Sequence, residues 1–170
     1  SVGYNVVYVS DRYSVPLIRS LVDSRVEVVD FPIIGHQESE EFAKELLKEL
    51  SPSLLISIER CGLTQIGRYL NMRGQEIDSY NAKVDYLFTN HSGSIGIGDG
   101  GNEIGMGNLA EVIPSVETLP KTPCVTQVTK LIITSVSNWG GYGLIAALSL
   151  LYGRNLLPSI EKEQQLVKRS

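Results

Sequence analysis

Short runs of β-branched and aromatic residues alternate along this chain with longer stretches whose apolar positions recur every three or four residues. Val6, Val7, Tyr8 and Val9 form the first run, and polar Ser10, Asp11 and Arg12 end it. Pro16 then opens a stretch in which Leu17, Ile18, Leu21 and Val22 share one helical face. Residues 26–31 read as a second strand and 32–36 as a loop. Residues 38–50 read as a helix, with Phe42, Leu46, Leu47 and Leu50 on one stripe and acidic residues opposite. Pro52 separates that helix from a third apolar run, 54–58. Further on, 94–97 is a strand leading into glycines, and 131–136 is a strand leading into Ser137, Asn138 and Trp139. Residues 144–152 read as a buried helix and 160–167 as an exposed terminal one.

Strand and helix alternate, and the strands are nearly continuous in apolar residues, which is the pattern of a parallel sheet covered on both faces. The expected architecture is therefore an α/β domain of three layers, α/β/α, with a mostly parallel, Rossmann-like sheet, and residues 1–170 form one such domain. Ligands gather beyond the carboxyl ends of the strands in open sheets of this kind. That rule directs attention to residues 10–12, 59–62 and the glycine-rich segment after residue 95.

Composition narrows the function. The chain has 170 residues, 42% hydrophobic and 20% charged, with a formal net charge of -4. A surface for nucleic acid needs clustered Lys and Arg, which this balance does not offer. No apolar run approaches the roughly 20 residues of a membrane-spanning helix, so no membrane partner is expected. Cys61 and Cys124 stand far apart, without zinc-site or redox spacing, and fit a reducing compartment. A small-molecule ligand is the remaining expectation, and self-association into a homo-oligomer is left open.

Three clusters carry candidate chemistry. The densest is the run from Gly96 to Gly107, where glycines permit close backbone approach and Asp99, Asn102 and Glu103 supply oxygen ligands or an acid/base pair. Its structural alternative is a turn that caps a helix, with Asp99 as the cap. The second is Glu59-Arg60-Cys61-Gly62 at a strand end, followed by Arg68, Tyr69, Asn71 and Arg73. Guanidinium groups there suit a carboxylate substrate, while a buried ion pair fixing the loop is the structural alternative. The third is Ser137-Asn138-Trp139-Gly140-Gly141-Tyr142, where helix-start N–H groups would bind an anion or a developing oxyanion. Here too a cap (Asn138) and a core filler (Trp139) are the alternatives. Cys61 reads as a packing residue, and the two histidines lack ligand-spaced partners.

Taken in this order, the clusters resemble the C-terminal domain of the D-glutamate cyclase family. The matching segments are Ile58-Glu59-Arg60-Cys61-Gly62, Gly67-Arg68-Tyr69-Leu70-Asn71-Met72-Arg73 and Asp85-Tyr86-Leu87-Phe88, with the Gly96 to Gly107 loop and Val136-Ser137-Asn138-Trp139-Gly140-Gly141-Tyr142. The resemblance implies a lyase that converts D-glutamate to 5-oxo-D-proline and water, mitochondrial in eukaryotes and cytoplasmic in bacteria. It also implies that the chain lacks the family's first strand and some loop residues.

On that reading Glu103 or Asp99 deprotonates the amine and Glu59 protonates the leaving oxygen. Arg60, with Arg73 as second choice, clamps the α-carboxylate. Asn71, Asn102, Ser137, Asn138, Trp139 and Gly140 line the substrate, with N–H groups near Asn138 to Gly140 at the oxyanion. No cofactor is required, although Asp99 and Glu103 could hold a divalent metal. Gly98-Asp99-Gly100-Gly101-Asn102 also looks like the magnesium-binding turn of haloacid-dehalogenase-type phosphatases, but their Asp-x-Asp-x-Thr nucleophile segment is absent. A non-catalytic amino-acid or anion sensor is the remaining alternative.

Overall fold

The structure, a computed structural model, describes residues 3–169. Its strands are β1 (Val7–Ser10), β2 (Glu27–Asp30), β3 (Leu55–Ile58), β4 (Ser94–Gly98) and β5 (Lys130–Ile133). Its helices are α1 (Val15–Leu21), α2 (His36–Leu50), α3 (Asp85–Thr89), α4 (Ser137–Tyr152) and α5 (Ile160–Arg169). Every strand pairing is parallel, and helices flank the strands, as a Rossmann-like three-layer α/β/α fold requires. The strands form two hydrogen-bonded groups, β1-β2 and β3-β4-β5.

One core lies under α2 and α3. Phe31, Ala43, Leu46, Ala82, Val84, Leu87, Ile104 and Val128 are buried together, and Val9, Val29 and Leu55 join them from the strands. Phe31 meets Phe42 edge to face at 4.8 Å, the geometry in which a ring edge faces a π cloud. A second, smaller core of Met106, Ile113 and Cys124 sits beneath the segment between β4 and β5. Burial of these side chains supplies the main stabilising term, at about 25 cal/mol per Å² of apolar surface.

The strands follow the sequence pattern with shifts of one to three residues at their ends. α4 departs from expectation in two respects. It begins at Ser137, seven residues before the expected start, although its first turns hold three of the chain's least helix-favouring residues, Gly140, Gly141 and Gly143. Tertiary contact overrides propensity here: a Cβ on Gly140 would stand 2.6 Å from Ile97 Cγ2, so only glycine lets the helix lie this close to β4. Nor is α4 buried along its length, since Leu150 is 85% and Leu151 81% exposed. His36 opens α2 rather than lying in a loop, and its Nδ1 meets the Tyr86 hydroxyl at 3.0 Å.

Gly140→Ala is expected to destabilise the fold by about 1–3 kcal/mol through overpacking against Ile97. Gly141→Ala, where nothing lies within 4 Å, should be neutral or stabilising by up to about 1 kcal/mol, the helix-propensity gain. Paired denaturation curves check the contrast, and equal behaviour of the two variants would contradict the packing argument.

Candidate active site

Three loops meet at the carboxyl ends of β3 and β4, and backbone hydrogen bonds stitch them together. Gly62 N donates to Asn102 O and Ile104 N to Arg60 O, each at 2.8 Å, so the segment after β3 lies against the glycine-rich turn after β4. Cys124 N donates to Gly101 O at 2.9 Å and Val125 N to Leu63 O at 2.8 Å, which adds the segment before β5. Glu59 begins the first loop with φ 57, a left-handed conformation uncommon for a residue with a Cβ. Such positions persist when the surrounding structure holds them, and they concentrate at functional sites.

Glu59, Asp99 and Glu103 come together there, their nearest carboxylate oxygens all within 4.8 Å of one another. The three acids differ in setting. Glu103 is 3% exposed, and its two oxygens accept the Gly100 and Gly101 amides at 2.9 and 2.7 Å. It therefore ties the glycine turn to itself, while Gly101 and Gly105, with φ of 97 and 105, let the backbone double back. Burial pushes the Glu103 carboxyl above the usual range, against the lowering effect of those amides. Asp99 reaches the other way, accepting the Ser137 amide at 3.1 Å, so the helix it caps is α4. Glu59 is exposed at the rim.

Arg60 is committed elsewhere. Its Nη1 lies 2.7 Å from Asp11 Oδ2 and its Nη2 donates to Ala82 O at 3.0 Å, with the Asp11 side chain 3% exposed. The ion pair considered between Glu59 and Arg60 is replaced by one between Arg60 and Asp11, and Glu59 stays exposed. The sequence placed Asp11 at a strand's carboxyl end but gave no sign of the pairing, since the two residues are distant in the chain. Asn71 and Arg73 belong to a segment whose Met72 packs against Gly100 of the glycine turn. Asn71 Oδ1 accepts the Arg73 and Gln75 amides at 2.9 and 3.0 Å, shaping an exposed turn that presents Arg73 to solvent.

Asn102 donates from Nδ2 to Leu70 O at 3.4 Å, and Ser137 is 1% exposed. Asn138 and Trp139 point outward, Trp139 being 63% exposed, so Trp139 does not fill the core. Of the first amides of α4, that of Ser137 is held by Asp99 and that of Trp139 by Val136 O at 2.9 Å. Asn138 N belongs to the first turn, whose N–H groups no intrahelical carbonyl reaches. Asn102 Oδ1, Ser137 Oγ, Arg60 Nε and Ser57 Oγ are buried without a hydrogen-bond partner. They lie on β3, on the loops after β3 and β4, and at the start of α4.

Behind the acids stands a network that sequence reasoning did not single out. Asp85 is fully buried and accepts Tyr69 Oη at 2.7 Å, Thr126 Oγ1 at 2.6 Å and Leu63 N at 2.9 Å. It locks the first and third loops to α3. Burial raises the Asp85 carboxyl above its ordinary 3.8, with the three hydrogen bonds acting in the opposite sense. Burial likewise pushes the Cys61 thiol up to about 11, so it stays protonated and unreactive, in keeping with a packing role. Shallow concavities lie on α5 and, at about 250 Å³, between α1 and β2, lined by none of the three acids.

Fold and site together define a parallel α/β domain with an acidic cluster at the carboxyl ends of its strands. A family model described as D-glutamate cyclase-like, C-terminal, matches residues 1–169, and the chain belongs to that family. It is 32% identical over 149 residues to the human protein named D-glutamate cyclase, mitochondrial, covering 80% of this chain. The chain spans about a quarter of that relative's length, 24%.

Two outcomes test the geometry. Asp11→Ala should destabilise the fold by about 3–5 kcal/mol, because it leaves a largely buried guanidinium unpaired, and Asp11→Ala with Arg60→Met should recover part of the loss. A strictly additive double variant would show the pair to be inert. For Asp85, a raised folded value means that the native state holds its proton more tightly than the unfolded chain. Its contribution to stability is therefore greatest at low pH and is lost as pH rises from about 3.8 through the folded value. The stability gap between wild type and Asp85→Asn should accordingly shrink over that rise, and a gap that widens would reverse the sign argued here.

Proposed function

We propose that this domain closes the ring of D-glutamate, giving 5-oxo-D-proline and water. The observation that carries the reading is the convergence of Glu59, Asp99 and Glu103 at the strand ends of a chain from the D-glutamate cyclase-like family. The reaction moves two protons. The α-ammonium nitrogen loses both as it bonds to the γ-carboxyl carbon, and one γ-carboxylate oxygen gains both as its bond to that carbon breaks and water leaves. Intramolecular attack has a high effective molarity, so the protein has only to hold the folded conformer of the substrate and manage protons.

Glu59 and Asp99, at the rim, are the groups that exchange protons with substrate. Glu103, held by two glycine amides and raised by burial, keeps the turn in place and acts as the deeper partner of the proton exchange. Arg60, engaged by Asp11, presents its remaining positive face to the substrate's carboxylates as an electrostatic element. The first turn of α4, with Ser137 and Asn138, faces the oxyanion that forms on the γ-carbon. The mitochondrial location in the human relative's name extends to this chain if it is eukaryotic.

A divalent cation suits the donor set, since three carboxylates that crowd one point are oxygen ligands of the hard-cation kind. Glu59 and Asp99 would hold it, with Glu103 behind them, and it would polarise the γ-carboxyl group. Phosphoryl transfer of the haloacid-dehalogenase kind is less favoured, because Asp11, the buried aspartate after β1, is locked to Arg60 rather than free to attack.

Purified protein incubated with D-glutamate should accumulate 5-oxoproline, followed by chiral chromatography. Glu59→Gln and Asp99→Asn should each lower turnover by about 10² to 10³ with melting temperatures near wild type. Loss of activity with chelator and its return with magnesium or manganese would assign the cation; indifference to chelator would leave the acids as proton carriers. Full turnover in both variants would remove the cluster from the chemistry.

A further inference from the structure

The chain carries its sulfur on Cys61, Cys124, Met72 and Met106, and the four stand in unlike places. Met106 is 3% exposed in the smaller core, whereas Met72 is 45% exposed. Burial pushes the Cys61 thiol up to about 11 and the Cys124 thiol up to about 12, so neither offers a thiolate at neutral pH. A thioether needs no deprotonation before it reacts with a peroxide. Met72 is therefore the sulfur that an oxidant in solution meets first.

Met72 sits near the tip of a hairpin that leans on the glycine turn. The hairpin is rooted by Tyr69, fully buried, whose hydroxyl donates to Asp85 at 2.7 Å and whose carbonyl accepts the Ile77 amide at 2.9 Å. Leu70 pairs with Glu76 across it, and Asn71 N donates to Gln75 O and Gly74 N to Asn71 O, each at 2.9 Å, which closes the tip. Near the root, Cys61 Sγ and Asn102 Nδ2 donate to Leu70 O at 3.2 and 3.4 Å. Further out, Met72 lays its thioether on Gly100: a Cβ built there would stand 2.4 Å from Sδ and 2.9 Å from Cε.

Beneath the sulfur lies the hydrogen bond that holds the acids in place. The same Cβ position is 2.9 Å from Glu103 Oε1, the oxygen that accepts the Gly100 amide. Gly101 gives Glu103 its second amide, and Asp99 directly precedes Gly100. A thioether suits this place, because it is apolar, adaptable and packs closely on bare backbone. A sulfoxide does not. Directed inward, its oxygen faces Glu103 Oε1, acceptor against acceptor; directed outward, it draws the side chain into water and off Gly100.

We propose that Met72 is an oxidation-sensitive latch on the acidic site: a peroxide adds one oxygen to its sulfur, and the sulfoxide releases the hairpin from Gly100 and slackens the glycine turn. The step balances with hydrogen peroxide as oxidant. A sulfur lone pair forms the S–O bond as the O–O bond breaks, the sulfur is oxidised by two electrons, and the other oxygen leaves as water with both protons of the peroxide. A methionine sulfoxide reductase reverses it. The latch rests on the cyclase reading only where turnover is measured; the contact and its loss do not depend on it.

The test treats the 170-residue chain with hydrogen peroxide and then with dithiothreitol, which returns reversibly oxidised thiols, before digestion and mass spectrometry. One added oxygen is expected on the peptide holding Met72 and none on that holding Met106. Hydrogen exchange at the Gly100 and Gly101 amides should speed by at least about 10-fold in the oxidised protein, as a locally opened turn does. Formation of 5-oxoproline from D-glutamate should fall by about 10-fold, the loss that slight misplacement of reacting groups brings, and the reductase should restore both readings. Met72→Gln should show the faster exchange without peroxide, while Met72→Leu should keep the slow exchange and lose none of its own turnover to peroxide. Equal oxidation of Met106 and Met72 would overturn the exposure argument. Unchanged exchange at Gly100 and Gly101 in protein oxidised at Met72 would overturn the latch, as would peroxide sensitivity retained by Met72→Leu. Because mass and exchange are read without substrate, their failure is distinguishable from a failure of cyclase activity.

Discussion

The buried ion pair between Asp11 and Arg60 is the contact on which the geometry of the site depends. It joins the strand groups at their functional ends, and the backbone carbonyl of the same arginine receives the Ile104 amide. A single residue thus fixes β1, β3 and the glycine turn relative to one another. Two charges taken out of water this far are costly, and such a pair contributes more to uniqueness than to stability unless its remaining hydrogen bonds are met. Arg60 meets one more, at Ala82 O, and leaves Nε without a partner. An arginine whose partner is fixed and whose remaining donor is unmet is suited to a neighbouring anion.

The glycine turn shows how scaffold and chemistry divide the three acids. Glu103 gives both oxygens to peptide amides of its own turn and lies almost entirely inside. A glutamine there would set an NH₂ group against one of those amides, two donors facing each other in a buried place, at a cost of about 1–3 kcal/mol. Glu103 is therefore as much a structural element as a reactive one. Asp99 fastens the same turn to the start of α4, and Glu59 is turned toward the rim by its left-handed backbone. The division follows from burial: the more a carboxylate is used to hold peptide groups, the less of it remains for a ligand.

The strands and four of the five helices were legible because each carries its own period, and tertiary structure shifted their ends, whereas the short α3 was not read. All three clustered acids were legible too, because they stand after strands in glycine-rich or strand-end segments, where the parallel fold sends its ligands. The start of α4 was not, since three glycines argue locally against a helix that Ile97 and Asp99 impose from elsewhere. Nor was the employment of Arg60, whose partner lies after a different strand. Asp85 entered the sequence reading only as part of a matching segment, with no helix expected there. Only the fold reveals that Tyr69 and Thr126 close over it. Residues whose role is set by a distant partner are the ones that local pattern misses.

The electrostatics of the cluster bear on what it would accept. Three carboxylates within 4.8 Å of one another repel, by about 3 kcal/mol per pair at the effective dielectric of a protein surface. Two amides on Glu103 and one on Asp99 offset part of that repulsion, and burial raises the Glu103 carboxyl further. What remains is a field that draws a cation to the rim between Glu59 and Asp99. A zwitterionic amino acid brings such a cation in its α-ammonium group and brings carboxylates that the same field repels toward Arg60 and the first turn of α4. The substrate would then be oriented with its nitrogen over the acids that take its protons. On the cyclase reading proposed above, removal of those protons would be the step that relieves the charge of the cluster, linking binding and chemistry through one imbalance.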